Sequence, residues 1–170
     1  MGMNKTKQEK QRTISQWLDL INGLIPHGDI IELPVLSGSM SPLIMPGFTI
    51  FIRACSAHEV RTGDIIVFKE VNSLTTHRVL IRIHFGRCSI LYQKGDANRF
   101  GKWIRTDRVV GVVDSIKNNS GTRTILSDKA EIAKAKRESF RQTGLTAWNV
   151  ALIIPRFIKQ CLREKRTNSD

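Results

Sequence analysis

The sequence predicts a mainly β fold: a folded β-sheet or partial barrel, with an N-terminal helix and C-terminal helices. Three observations carry this. From about residue 29 to residue 117, short apolar runs alternate with Gly, Pro and Asn turns, the pattern of many short strands. Residues 75–85 show the period of two that a strand requires. Residues 13–25 and 145–163 instead space their apolar side chains at helical intervals.

Residues 1–12 read as a flexible basic tail. Residues 13–28 form the N-terminal helix, with Ile14, Trp17, Leu18, Leu20, Ile21 and Leu24 on its apolar face and Pro26-His27-Gly28 ending it. The β domain spans 29–120. Its first strand is Ile30 to Leu36, its second Phe48 to Arg53 after the Pro46-Gly47 turn, and its third Asp64 to Lys69 after Thr62-Gly63. In the next, Thr75, His77, Val79, Ile81 and Ile83 share one face, while Thr76, Arg78, Leu80, Arg82 and His84 share the other. Gly86-Arg87 turns it into a hairpin with Cys88 to Lys94. Val109 to Ile116 is the last strand, ended by Asn118-Asn119-Ser120-Gly121. Residues 121–170 form a C-terminal helical extension: 128–142 after a Ser127/Asp128 cap, then 145–163 beyond Gly144.

The 170 residues suffice for one domain with a core. At 41% hydrophobic and 25% charged, the composition is that of a globular protein and excludes wholesale disorder. The net charge of +12 suits an anionic partner and equally suits simple solubility. Cys55, Cys88 and Cys161 are odd in number and far apart, with no zinc-type spacing, so reduced thiols and no metal or other cofactor are expected. No signal peptide is visible, and no apolar run has the length of a membrane span. A cytoplasmic location follows as the expectation.

The chemistry concentrates in a few segments. Ser39 sits on a turn punctuated by Gly38 and Pro42 at the end of a strand, where a nucleophile can be held rigidly and in reach of solvent. A serine needs an adjacent base, and histidine is the commonest base because it titrates near neutrality. His77, on an otherwise apolar strand face, is the candidate; a core histidine with a satisfied hydrogen bond is the plain alternative. Asp96, in Lys94-Gly95-Asp96-Ala97-Asn98, is either a turn residue or the carboxylate that orients the imidazole.

In order along the chain, Ser37-Gly38-Ser39-Met40-Ser41-Pro42, Gly63-Asp64-Ile65-Ile66-Val67-Phe68, Thr76-His77-Arg78-Val79 and Lys94-Gly95-Asp96-Ala97-Asn98 together resemble the boxes of the signal peptidase I and LexA-type superfamily of serine peptidases. The histidine box makes the chain similar to the Ser-His-Asp branch rather than to the branch with a lysine base. The resemblance covers about residues 33–113. It implies a mostly β, partly barrel-like fold, Ser39 as nucleophile, His77 as general base and Asp96 as the acid. It also implies that Ser37, with the backbone N–H of Ser39, helps form the oxyanion hole; Met40 is counted with Ser37 among the oxyanion and substrate-binding residues. The branch's second aspartate has no counterpart in Arg99-Phe100-Gly101-Lys102-Trp103, and the membrane anchor of membrane signal peptidases is not visible.

The leading expectation is therefore a serine endopeptidase acting on a precursor or leader peptide, with small residues near the scissile bond as the resemblance implies. A non-catalytic peptide-binding module on the same fold is the alternative. No specific nucleic-acid partner is expected. Residues 145–166 leave two readings open. Either the helix packs on the β domain, or Trp148, Leu152, Ile153 and Phe157 lie in an anionic membrane interface with Arg156, Lys159 and Arg163 at the headgroups.

Overall fold

The computed structural model describes residues 28–126, apart from Ala57, Asn72, Gly86 and Arg87. The tail and the helices expected over 1–27 and 128–163 lie outside the described residues. Within them the chain is mainly β, as the apolar spacing requires. Eight antiparallel strands form one open sheet: β1 (Ile30–Pro34), β2 (Thr49–Ala54), β3 (Ile65–Lys69), β4 (Leu74–Phe85), β5 (Cys88–Lys94), β6 (Lys102–Arg105), β7 (Val109–Lys117) and β8 (Arg123–Ile125). The order is β1-β2-β7-β3-β4-β5-β6, with β8 paired to β7.

Two strands were not anticipated. The β6 segment holds two apolar residues between charged ones, too short a run to read from periodicity, and forms because β5 offers it a free edge over Ile90–Gln93. In the same way β8 pairs with Ser115–Lys117. The sheet therefore runs beyond residue 121, the point at which a helical extension was expected to begin.

The sheet has a core on each side. One cluster joins Ile31, Leu33, Ile50, Ile52, Ile65, Val67, Val113 and Ile116 with Met40 and Ile44 from the β1–β2 loop. The other joins Val60, Ile66, Phe68, Val79, Leu91 and Ile104. Strand β3 contributes to both because it alternates Ile65 and Val67 toward one side with Ile66 and Phe68 toward the other. It is central in the sheet, and its first four residues are apolar and buried, as in a strand covered on both faces.

The β4–β5 hairpin departs from simple alternation. Near its turn the register pairs Phe85 with Cys88 and Ile81 with Tyr92, but further along it pairs Val79 with Gln93 and Arg78 with Lys94. Leu80 is the extra residue of a β-bulge. Cross-strand partners share a face, and Leu91 and Gln93, two residues apart, share one. Their partners Arg82 and Val79 must therefore share that face too. This corrects the expectation that Arg82 and His84 stand opposite His77: the bulge rotates the outer half of β4 so that they join its face.

Candidate active site

Ser39 is placed by the chain on both sides of it. Before it, the Val35 N–H donates to the Phe48 carbonyl, and the Gly47 N–H donates back to Val35. After it, the Ser41 N–H closes a turn on Gly38, and the Ile44 N–H closes a wider turn on Met40. The Met40 side chain is 2% exposed within the core cluster of β1, β2 and β7. Met40, named with Ser37 as an oxyanion or substrate-binding residue, anchors the Ser39 turn through this apolar burial. Ser39 is half-buried, and Ser37 is exposed next to it.

His77 lies on β4 opposite Ile66, with its ring tilted against the Phe68 ring at 5.9 Å. Two amides flank the imidazole. Its Nδ1 is hydrogen-bonded to Gln93 Oε1, and Asn98 Nδ2 lies 3.4 Å from its Nε2. Burial pushes the His77 pKa below its ordinary 6.5; the Gln93 acceptor, together with Glu70 and Asp96, works in the opposite direction, and Lys102 adds to the lowering. At neutral pH the ring is then neutral, the form a general base requires.

The Ser39 backbone and the His77 ring come from distant parts of the sequence and approach each other across Gly95. A Cβ placed on Gly95 would fall 2.5 Å from the Ser39 carbonyl oxygen, 2.7 Å from Asn98 Nδ2 and 3.0 Å from His77 Nε2. The Ser39 backbone and His77 Nε2 therefore border one small space that only a glycine leaves open. The turn after β5 holds this arrangement: the Ala97 N–H donates to the Ser39 carbonyl at 3.0 Å, and the Asn98 N–H closes on Gly95 at 2.9 Å.

Asp96 is in the same turn, but its carboxylate does not take the His77 ring. It receives two bonds from Arg78, Nε at 3.0 Å and Nη2 at 2.7 Å. Arg78 also donates from Nη1 to the Gly63 carbonyl. The reason lies in the pleat. Arg78 and His77 are neighbours on β4 and point to opposite faces, and the buried guanidinium, with 4% of its side chain exposed, requires a counter-ion. Asp96 thus ties the turn to β4 through Arg78, which also holds the Gly63 turn, and the side chain hydrogen-bonded to the imidazole Nδ1 is that of Gln93.

Gln93, Asn98 and Arg78 were not among the expected site residues. A glutamine within Ile90-Leu91-Tyr92-Gln93 was a signal, since a polar side chain in an apolar strand needs a buried partner. Among the described residues no group of three or more His, Cys, Asp or Glu side chains is arranged to hold a metal ion. No helix among them is long and apolar enough to cross a membrane. Compared with protein-family models and with curated proteins, the chain finds no match.

Proposed function

We propose that this protein is a serine endopeptidase of the signal peptidase-like type, with Ser39 as nucleophile and His77 as general base, cleaving a precursor or leader peptide. The observation that carries the reading is the meeting of the Ser39 turn and His77 Nε2 across Gly95, beside an imidazole that burial keeps neutral. In this reaction the Ser39 hydroxyl oxygen bonds to the scissile carbonyl carbon as its proton passes to His77 Nε2. The tetrahedral oxyanion is held by the Ser39 N–H and the Ser37 hydroxyl, donors of a kind worth a few kcal/mol. Collapse breaks the C–N bond, and Nε2 returns the proton to the departing amine. Water, activated by the same nitrogen, then releases the acyl group and restores the serine.

The test is incubation of wild type and Ser39→Ala with a diverse peptide pool, with and without anionic vesicles, reading new termini by mass spectrometry. New termini with wild type alone are expected, with a loss of several orders of magnitude in the variant. Equal cleavage by both, or none by either, would overturn the proposal. One observation favours a second reading, a peptide-binding module without catalysis: the Asp96 carboxylate is spent on Arg78. That reading requires peptide binding that survives both Ser39→Ala and His77→Ala.

A further inference from the structure

A general base at Nε2 must carry its single proton on Nδ1. A buried acceptor facing Nδ1 enforces that tautomer and fixes the ring plane; in a Ser-His-Asp site a carboxylate does this. In this protein the atom at that place is Oε1 of Gln93, whose side chain is 1% exposed. The carboxylate assigned to the role by sequence is held by a buried arginine instead. On the other side of the ring, Asn98 presents its amide nitrogen toward Nε2, which as a donor is compatible only with an unprotonated Nε2. Both amides therefore specify the same neutral tautomer.

We propose that Gln93 is the positioning residue of this site, holding His77 as the Nδ1–H tautomer in place of a catalytic acid. The proposal rests on the peptidase reading for its consequence, but the tautomer itself is observable without any substrate. An amide orients the ring as an aspartate would. It brings no negative charge to stabilise the imidazolium, so the base is weaker and works at lower pH. The charged groups acting on the ring are Glu70 beyond β3, Asp96 in the β5–β6 turn and Lys102 on β6, and none of them occupies the Nδ1 position.

The experiment is two-dimensional NMR of the ring nitrogens and protons of His77 in the full chain, assigned by comparison with His77→Gln. Wild type is expected to show the Nδ1–H tautomer at neutral pH. Gln93→Met, which keeps the volume and removes the acceptor, should lose that preference, with Ser39-dependent cleavage falling at least tenfold. Gln93→Glu should keep the tautomer and raise the His77 titration midpoint by about 1–3 pH units, as an adjacent opposite charge does, with the pH profile of cleavage moving alongside. An Nε2–H tautomer in wild type, or an unchanged midpoint in Gln93→Glu, would overturn the proposal; these readouts do not depend on Gln93→Met folding. A Gln93-dependent tautomer in a protein with no Ser39-dependent cleavage would overturn the peptidase reading and the catalytic consequence together, while leaving the ring assignment in place.

Discussion

Replacing Gly95 by alanine tests how tightly Ser39 and His77 are set against each other. The added methyl carbon would stand 2.5 Å from the Ser39 carbonyl oxygen, where ordinary contact begins at 3.4 Å. The nearest atom is backbone, so it cannot swing aside as a flexible side chain would. A shift of about 0.9 Å must be found by moving the 95–98 turn off the Ser39 turn, and a misplacement of that size costs a catalytic arrangement about 100-fold. The same overpacking should lower stability by about 1–3 kcal/mol, partly through the Ala97 to Ser39 hydrogen bond. Stability and positioning are separated by a control, Gly121→Ala. That glycine has φ +86 and open space around its Cβ position, so alanine there should cost about 1–2 kcal/mol of backbone strain and leave cleavage alone. Urea melts and the peptide-pool assay on both variants give the four numbers needed. Cleavage by Gly95→Ala within twofold of wild type would refute the reasoning, because cleavage would then not depend on how the Ser39 turn and His77 are set against each other at that residue.

Three further outcomes are expected. Because burial lowers the His77 pKa, the unfolded chain binds a proton near pH 6.5 that the folded chain does not yet bind. The contribution of this group to stability is therefore complete above that pH and is lost as pH falls toward the folded value. The acid limb of kcat/KM should accordingly have its midpoint below 6.5, and a midpoint above 7 would contradict it. Asp96→Ala should destabilise by about 3–5 kcal/mol by leaving the Arg78 guanidinium buried without its carboxylate, and the double variant Arg78→Met/Asp96→Ala should recover part of that loss in the same melts. The Cys55 thiol, pushed up first by burial and then by Glu59, should alkylate at pH 8 at least tenfold more slowly in the native than in the denatured protein, as read by peptide mapping.

The mainly β class and the β4–β5 hairpin were legible because both depend on local patterning. Alternation and turn residues act over a few positions, and β4 and β5 pair antiparallel as expected. The Ser39 turn, the His77 strand and the Gly95 turn were singled out by their residue types, and they border one space in the fold. Strands β6 and β8 were not, since short charged segments become strands only when an existing edge supplies their hydrogen bonds.

The partner of the histidine was decided by one bulge. An uninterrupted hairpin from Phe85 and Cys88 would set Gln93 opposite Leu80, on the face away from His77; the extra residue in β4 sets it opposite Val79 instead, and its amide reaches the imidazole. Asp96 was decided by burial, because Arg78, carried to the other side of the same strand, needed a carboxylate more than the neutral imidazole did. By itself the sequence determined the mainly β class and most of its strands, through short-range periodicity and turn propensity. Which side chains are paired was left to the tertiary structure, because register and desolvation are set only when the strands meet.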